Sequence, residues 1–437
     1  MQDRTKKLLS DFISIQSVST DPTRYDQILK AVDFLTKEIK TLGFEVNIYQ
    51  EENCSPLVVA KKFVSSNSKT IGIYAHYDVQ PEDPAGLWEN PPFKLTFKNG
   101  KLYGRGVADD KGHIIQTLVA INQLINKKKL NNNIVLIFEG EEEVGSKNFE
   151  LLIKQAKKHL EKIEVFYILD MGMKAKNIPQ IFYGLRGIMV GELTVRIGKT
   201  DLHSGTYGNR VLNPAQVIAE LLTKIKDGKT NRIKIPGFYE QVKKISQKEI
   251  NILSEFNLSE AEEKKNAGVK KFTSGFLSSK ILPSFEVNGI ISGYTGQGAK
   301  TIIPAEASLK FSIRLVPDQK PEEIRKKTED FIKNNLPEEV DFELWINDGS
   351  GPFFTDFDSS YVKKTANILS KIFKNKVYFN RSGGSIGAVE ILQRLFKKPI
   401  ILMGFTLPDE NIHAPNENID EEMFYKGIVS LEKILAQ

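Results

Sequence analysis

Cysteine, histidine and tryptophan are scarce in this sequence, and so is any excess of charge. The 437 residues include one cysteine, Cys54, five histidines and two tryptophans. Because a single cysteine has no partner in the chain, an intramolecular disulfide framework is excluded and a reducing compartment is expected. The 61 basic and 55 acidic residues leave a formal charge of only +6. No segment alternates basic with aromatic residues as a groove for single-stranded nucleic acid does, so no nucleic-acid partner is expected.

Long apolar runs are also missing. No stretch is long enough to cross a bilayer. Residues 1–19 alternate apolar and charged side chains at helical spacing and lack the apolar core of a signal peptide. The sequence therefore predicts a cytoplasmic protein with no membrane partner.

The order of the apolar segments indicates an α/β protein. At about 150 residues per domain, a chain of this length suggests three domains or two large ones. Between residues 44 and 170, near-continuous apolar strands alternate with helices. This alternation is typical of a largely parallel sheet flanked by helices, and residues 358–435 return to it.

The middle of the chain has a different pattern of apolar and polar side chains. Its strands alternate apolar and polar side chains, as half-exposed antiparallel strands do. The order strand, helix, strand, strand, helix, strand predicts a split βαβ unit. The clearest elements are strands at 188–198, 309–316 and 341–347 and helices at about 212–226 and 320–334.

These patterns divide the chain into two domains. We expect an α/β domain formed by residues 1–186 and 348–437, interrupted by a smaller α+β domain, residues 187–347. Residues 228–284 are polar, rich in lysine and mainly helical in pattern, so we interpret them as an insertion in the smaller domain.

Histidine and acidic residues follow the predicted strands of the α/β domain at regular intervals. The steps from His76 to Asp109, to Glu143 and to Asp170 are 33, 34 and 27 residues, each close to one strand–helix repeat. Because ligands bind beyond the carboxyl ends of such strands, these side chains should meet at one rim. So many like charges would repel one another, which predicts a pair of divalent metal ions among them. Asp109 alone reads equally well as a helix cap, and Glu141–Glu143 alone as a solvated loop.

The same residues lie in motifs that resemble those of a known family. The motifs occur in the family's order and span roughly residues 70–415. They resemble metallopeptidase family M20, specifically its dipeptidase branch, which includes the carnosinase-like cytosolic dipeptidases. The motifs are HYDVQP at 76–81, LYGRGVADDKG at 102–112, FEGEEEVGS at 138–146, DLHSGTYGN at 201–209, AKTIIP at 299–304, FSIRLVP at 311–317 and GGSI at 383–386.

The resemblance implies two zinc-type ions per chain. His76, Asp109 and Asp170 would hold one ion. Asp109, Glu143 and His413 would hold the other, with Asp109 as the bridge. Imidazole nitrogen and carboxylate oxygen suit zinc, and also manganese or cobalt.

The resemblance also implies the catalytic groups of a di-zinc-type metallopeptidase. Asp78 would orient the His76 ring. The family motif places its two functional glutamates before one residue and then Gly-Ser, which makes Glu142 the general base and Glu143 the ligand. Glu142 would activate a water that bridges the two ions, for attack on the peptide bond of a dipeptide or short peptide.

Further residues are implied for the substrate. His203 would stabilise the oxyanion. In this family that histidine typically reaches the site of the neighbouring subunit, so a homodimer is expected. Arg314 would bind the terminal carboxylate of the substrate, with Thr301 and Ser385 sharing that task. Residues 187–347 would then form a lid and dimerisation domain.

Two positions depart from the family's pattern. Many relatives have an acid before Gly-Gly-Ser, where this chain has Ser382, and a proline where it has Gly387. If that acid helps to recognise a free amino terminus, its loss favours a competing function. That function is deacylation of an N-acyl amino acid by the same water chemistry.

Other functions fit single motifs only. Gly383–Gly387 matches the G-x-S-x-G elbow of serine hydrolases, with Ser385 as nucleophile and Asp409 and His413 following in chain order. However, those two residues are only four apart, and this interpretation leaves the acidic cluster unexplained. A P-loop at 293–301 fails by one inserted alanine. A metal- or peptide-binding protein without activity would usually lack the base or a ligand, and here all are present.

Overall fold

The computed structural model describes residues 2–256 and 260–437, which form two compact units. The segment Arg381–Ser385 is separated in the sequence from the rest of the unit to which it belongs. It clusters with the second unit because Arg381 pairs there with Glu249 and Ser385 bonds to Arg314. Unit 1 comprises Met1–Tyr183, Thr355–Asn380 and Ile386–Gln437, and unit 2 comprises Gly184–Phe354 and Arg381–Ser385.

Both units contain helices as well as strands. Among the described residues, no helix is both long and apolar enough to cross a bilayer. The helices are α1 (Gln2–Ile13), α2 (Tyr25–Thr41), α3 (Lys111–Asn126), α4 (Phe149–Gln155), α5 (Lys157–Leu160), α6 (Ser204–Tyr207), α7 (Pro214–Ile225), α8 (Gln247–Ser254), α9 (Glu260–Ala267), α10 (Ser278–Ile281), α11 (Pro321–Asn335), α12 (Ser360–Phe373), α13 (Gly387–Phe396) and α14 (Glu421–Leu435).

The strands vary from two to ten residues in length. They are β1 (Glu45–Tyr49), β2 (Leu57–Lys62), β3 (Thr70–His76), β4 (Thr96–Lys98), β5 (Lys101–Tyr103), β6 (Asn133–Glu139), β7 (Val165–Ile168), β8 (Gln180–Leu185), β9 (Gly187–Arg196), β10 (Leu202–His203), β11 (Ser284–Ser292), β12 (Ile302–Ile303), β13 (Glu306–Leu315), β14 (Asp341–Ile346), β15 (Phe353–Phe354), β16 (Tyr378–Arg381), β17 (Ile400–Leu402) and β18 (Asn418–Asp420).

Unit 1 is built on a mixed sheet with a parallel centre. Its strands lie in the order β1-β2-β6-β3-β7-β17-β8, and β16 pairs with β8. The strands β6, β3, β7 and β17 are parallel neighbours, whereas β2 and β8 join this centre antiparallel. β1 and β2 follow each other without a helix between them, and such neighbours pair antiparallel. The expected α/β class is confirmed.

The central strands of unit 1 are buried along their whole length. Every residue of β3, β6 and β7 is buried, which explains why these strands read as continuous apolar runs. Helix α3 packs against α1 and α14 and buries Ile114 and Ile121 in the same core. This buried sheet fixes the positions of the carboxyl ends of its strands, where the loops that follow them begin.

Unit 2 contains a four-stranded antiparallel sheet in the order β11-β13-β9-β14. Helices α7 and α11 pack on one face, and side chains of β9 alternate between buried and half-buried. The chain order β9, α7, β11, β13, α11, β14 is the predicted split βαβ pattern. Phe353–Phe354 pairs with Gly184 and Leu185 where the chain leaves the unit.

Some elements differ from the sequence-based expectation. Helices α4 and α5 are separated by a single residue, Ala156. Strand β11 was missed because most of its side chains are exposed or half-buried, so it shows no apolar alternation. The predicted insertion at 228–284 contains α8, α9 and α10 joined by irregular chain, and its residues 257–259 lie outside the described residues.

Candidate metal centre and substrate-binding residues

The residues predicted to bind metal lie where strands of unit 1 end. β3 ends at His76 and β6 at Glu139, and these two residues are paired in register. Asp170 follows β7, and Asp109 precedes α3, joined to Asp110 by a cis peptide bond. Because β3, β6 and β7 are parallel, their carboxyl ends open at the same rim.

Two groups of side chains meet at Asp109. His76 Nε2 lies 2.8 Å from Asp109 Oδ1, and an oxygen of Asp170 lies within 4.8 Å of both residues' ligand atoms. On the other side, His413 Nε2 lies 2.9 Å from Asp109 Oδ2 and 3.1 Å from Glu143 Oε2. The two oxygens of Asp109 therefore face different groups, as those of a bridging ligand do. The structure brings together the five residues that the sequence analysis named as ligands.

Asp78 is fully buried and contacts both a histidine and the glutamate turn. One of its carboxylate oxygens lies 3.3 Å from Nδ1 of His76. The main-chain N–H groups of Glu142 and Glu143 donate to the Asp78 carboxylate at 3.3 and 3.1 Å. With an acceptor beside Nδ1, the neutral His76 ring carries its hydrogen there and leaves Nε2 able to bind a cation.

The three consecutive glutamates have different environments. Glu141 is buried, and its carboxylate accepts the main-chain N–H of Ser55 at 2.8 Å and the side-chain N–H of Asn148 at 2.9 Å. Glu142 and Glu143 lie in a 3-10 turn and interact with the acidic cluster. Oε1 of Glu143 is buried and has no hydrogen-bond partner in the described part of the chain. Both oxygens of Glu141 are therefore occupied as structural acceptors, whereas Glu143 accepts from Gln80 Nε2 at 2.8 Å on one oxygen only.

This cluster carries more negative charge than its histidines neutralise. Burial, together with the charges of Asp109 and Glu143, raises the pKa of Glu142 to about 7. Burial and the charge of Asp109 raise the pKa of Asp170 well above its usual value. Hydrogen bonds to Asp109 and Glu143 raise the pKa of His413 to about 10. Additional positive charge at this place would stabilise the ionised carboxylates.

The side chains fit a pair of divalent metal ions. Each group supplies one imidazole nitrogen and two carboxylates, which are donors that zinc, manganese and cobalt accept. Ligand atoms on a tetrahedral zinc ion lie about 3.3 Å apart. The nitrogen–oxygen separations here are 2.8–3.1 Å, close to that value. The unpartnered oxygen of Glu143 also indicates that a ligand belongs beside it.

The sequence analysis did not single out Glu417, which contacts the main chain beside Asp109, the residue predicted to bridge the two ions. The buried Glu417 carboxylate accepts the main-chain N–H groups of Gly106, Ala108 and Asp109 at 2.9–3.1 Å. Arg105 Nη1 donates to the same carboxylate at 2.8 Å. The sequence signal that could have identified Glu417 is its position four residues after His413, which was predicted as a ligand.

Asp110 and His113 form a hydrogen-bond network beside the candidate metal ligands. Asp110 caps no helix with its side chain, which instead accepts the main-chain N–H of His76 at 3.2 Å. His113 Nδ1 lies 2.5 Å from Asp110 Oδ1, and its Nε2 accepts the main-chain N–H of Phe405 at 3.1 Å. Nδ1 therefore carries the hydrogen that His113 donates to Asp110.

Unit 2 carries His203 and Thr301 next to each other. His203 is exposed in β10 and pairs with Ile302 of β12. Its Nδ1 accepts the N–H of Gly205 at 3.1 Å, so the neutral ring carries its hydrogen on Nε2. The main-chain oxygen of Thr301 accepts the N–H of Ser204 at 3.1 Å. His203 thus presents a hydrogen-bond donor to solvent.

Arg314 and Ser385, also in unit 2, are in direct contact. Arg314 Nη1 donates to Ser385 Oγ at 3.2 Å, and that hydroxyl donates to the main-chain oxygen of Arg186. Neither partner can act as a base, so the structure gives no support to Ser385 as a nucleophile. Asp409, the acid of that alternative, is largely exposed and lies 3.7 Å from Lys101 Nζ.

Comparison with known proteins agrees with the geometry. The Cys-Gly metallodipeptidase DUG1 of Candida albicans is 31% identical, over 97% of this chain and 92% of that protein. The Beta-Ala-His dipeptidase of Homo sapiens is 27% identical, over 98% of this chain and 88% of that protein. The crystal structure of Sso-CP2, an M20 family metallo-carboxypeptidase from Sulfolobus solfataricus, superposes with a TM-score of 0.87. It is 30% identical and covers 99% of this chain and 98% of that one.

A family profile covers most of the chain as well. The profile of Peptidase family M20/M25/M40 matches residues 72–437, which include every ligand of the candidate metal centre. The resemblance read from the sequence motifs is confirmed, and the chain belongs to peptidase family M20/M25/M40.

Proposed function

We propose that this protein is a metal-dependent dipeptidase that hydrolyses the peptide bond of dipeptides or short peptides. The observation that carries the proposal is the pair of candidate ligand groups that share Asp109, with the half-buried Glu142 in the same acidic cluster. Two of the relatives described above are named as dipeptidases, which supports this substrate class.

Two divalent metal ions per chain are the proposed cofactors, zinc first, with manganese and cobalt as alternatives. His76, Asp109 and Asp170 would hold one ion, and Asp109, Glu143 and His413 the other. Bound there, such ions would polarise the scissile carbonyl and lower the pKa of water, as metal pairs do in aminopeptidases.

Glu142 is the proposed general base. It would take the proton from the attacking water and return it to the leaving amine. A carboxyl whose pKa burial raises to about 7 is suited to passing a proton in both directions. Asp78 supports this step indirectly, because its carboxylate accepts the main-chain N–H of Glu142 and lies beside the His76 ring.

The residues of unit 2 are assigned to the substrate. His203 would donate a hydrogen bond from Nε2 to the oxyanion, and the Nδ1 contact with Gly205 supports this tautomer. Arg314 would bind the terminal carboxylate of the substrate, with Ser385 and Thr301 beside it. We further propose a homodimer in which His203 serves the site of the partner subunit.

The proposal is tested with metal-depleted protein reconstituted with zinc, manganese or cobalt. Dipeptides, tripeptides and N-acyl amino acids form the substrate panel. We expect dipeptide hydrolysis with about two ions per chain, loss of activity with a chelator, and no effect of a serine-directed phosphonate. Absence of dipeptide hydrolysis with every metal would overturn the proposal.

Subunit sharing has its own test. The inactive variants Glu142→Gln and His203→Ala are mixed and refolded, so that one site of the heterodimer combines an intact Glu142 with an intact His203. Recovery of activity is expected. Verified heterodimers that stay inactive would show that His203 acts within its own chain or not at all.

Two alternatives share the same chemistry and are separated by the same panel. The similarity to the metallo-carboxypeptidase Sso-CP2 favours removal of the C-terminal residue from longer peptides. Ser382 favours N-acyl amino acids, because its hydroxyl, which accepts the N–H of Gly384 at 3.1 Å, stands where many relatives have an acid. Tripeptides or N-acyl amino acids cleaved faster than dipeptides would select one of these activities.

A further inference from the structure

Arg186 is a buried cation of unit 2 that forms no ion pair with any described residue. It is 9% exposed and lies two residues before Ile188, the strand partner of Arg314. Its Nη2 donates to the main-chain oxygen of Leu282 at 3.2 Å and to Ser284 Oγ at 2.8 Å. Its Nε is buried and makes no hydrogen bond to any residue that the structure describes. A buried guanidinium donor without a partner is costly, so a missing acceptor is implied.

Two further cations lie near Arg186. Arg314 bonds to the hydroxyl of Ser385, and the ammonium of Lys280 lies 5.1 Å from the ring centre of Phe276. Within residues 2–256 and 260–437, neither cation forms an ion pair. Burial and the charge of Arg314 lower the pKa of Arg186 to about 10, and burial and the charge of Arg186 lower the pKa of Lys280. An anion near these groups would relieve both their repulsion and their poor solvation.

Arg186 lines a cavity of about 450 Å³, here called the Arg186 cavity. Its acidic lining residue is Glu286, whose carboxylate is engaged by Lys226 Nζ at 3.0 Å. At the exposed rim, the guanidinium of Arg232 lies 4.7 Å from the ring centre of Tyr239. The volume is typical of small-ligand sites. The lining also includes the hydroxyl side chains of Thr230, Ser278, Ser279 and Ser284.

We propose that the Arg186 cavity binds a carboxylate group, with Arg186 as its main ligand and Arg232 at the rim. Nε of Arg186 has no acceptor among the described residues, and a charged guanidinium N–H forms a strong hydrogen bond with a carboxylate oxygen. This carboxylate is separate from the one that Arg314 would bind.

The carboxylate has two potential sources. One is the acidic side chain of a substrate's C-terminal residue, in which case the inference rests on the proposed dipeptidase function. Arg186 directly precedes β9, and the Ser385 hydroxyl that Arg314 contacts donates to the main-chain oxygen of Arg186. This proximity would allow one glutamate or aspartate residue to present a carboxylate to each of the two arginines. The other source is a free dicarboxylate that binds as an independent ligand.

Binding is measured first, on the full-length metal-free protein, with succinate as the probe in isothermal titration calorimetry. The wild-type protein should bind succinate saturably. Arg186→Gln should weaken binding tenfold or more, the usual effect of losing a hydrogen bond between charged groups. Arg196→Gln is the matched control and should bind like wild type, because Arg196 ends β9 and pairs with Glu306 at the surface. If Arg186→Gln does not fold, Lys280→Met and Arg232→Gln should each still weaken binding severalfold.

Kinetics then identify the source of the carboxylate. The metal-loaded enzyme is assayed on two dipeptides of similar size, alanyl-glutamate and alanyl-glutamine. If the substrate supplies the carboxylate, wild type should prefer the glutamate peptide about tenfold in kcat/KM. Arg186→Gln should abolish that preference and Arg196→Gln should keep it.

The two experiments test ligand binding in the Arg186 cavity and the proposed dipeptidase function separately. Succinate binding that depends on Arg186, together with the glutamate preference, supports the substrate side chain. The same binding without a preference supports a free dicarboxylate. No binding to wild type, or binding unaffected by Arg186→Gln, Lys280→Met and Arg232→Gln, overturns the inference. An enzyme that cleaves no dipeptide refutes the proposed function, while the calorimetry still decides the cavity.

Discussion

Replacing Glu142 by glutamine should separate catalysis from metal binding. Glutamine keeps the shape of the side chain but cannot accept the proton of the attacking water. General acid–base catalysis contributes about 10²–10⁴ in rate, so kcat should fall by at least about 100-fold. The five predicted ligands and the Asp78 contact with the main-chain N–H of Glu142 are unchanged. The variant should therefore still bind two ions per chain.

Glu141→Gln is the neighbouring control, with the opposite expected result. The Glu141 carboxylate accepts hydrogen bonds from Ser55 and Asn148 on both of its oxygens. A glutamine replaces one oxygen by an N–H donor, which faces another donor and leaves it unsatisfied. The expected cost is about 1–3 kcal/mol in the free energy of unfolding. Activity below the unfolding transition should be nearly that of wild type.

Three measurements on the same preparations decide between the two glutamates. They are elemental analysis after reconstitution, kcat on a dipeptide that the wild type cleaves, and urea unfolding. If Glu141→Gln is the inactive variant and Glu142→Gln is active, the assignment of the base is wrong. If Glu142→Gln loses its metal ions, its inactivity carries no information on proton transfer and the reasoning from the ligand geometry fails.

Three further predictions concern the metal bridge, the substrate residues and pH. Asp109→Asn should weaken both metal sites. Asp170→Ala should reduce the metal content of reconstituted protein from about two ions to about one. Equal effects of the two substitutions would contradict a bridging Asp109. His203→Ala should lower kcat by a factor of about 10²–10³ with unchanged metal content. Arg314→Met should mainly raise KM for free dipeptides, and the rise in KM should be smaller for their C-terminal amides. Burial raises the pKa of Glu142 from 4.5 to about 7, so its ionisation destabilises the metal-free folded protein as pH rises through that window. Metal-free wild type should therefore lose stability relative to Glu142→Gln in urea unfolding between pH 4.5 and 7, and a difference that does not change with pH would contradict this reasoning.

The fold class and the candidate ligands on the strands could be read from the sequence because both leave local signals. Buried parallel strands appear as continuous apolar runs, and β3, β6 and β7 are buried at every residue. In a parallel sheet each strand–helix repeat returns the chain to the same rim. Steps of about 30 residues therefore predict that His76, Asp109 and Glu143 meet. The resemblance to family motifs added the register of the glutamates and the role of His413.

Other features depend on contacts between distant parts of the chain. Glu417 accepts the N–H of Asp109 across 308 residues, and Arg186 bonds to Ser284 across 98. Such contacts have no period in the sequence, because they arise only when the packed strands bring the two segments together. The sequence likewise does not distinguish a buried arginine without an ion pair from an arginine on the surface. The sequence by itself determined the α/β class and the residue types of the metal centre. Only the tertiary structure decided which carboxylates are occupied by main-chain donors, and which cations of unit 2 have no ion-pair partner among the described residues. Burial and distance depend on the packing of the whole domain.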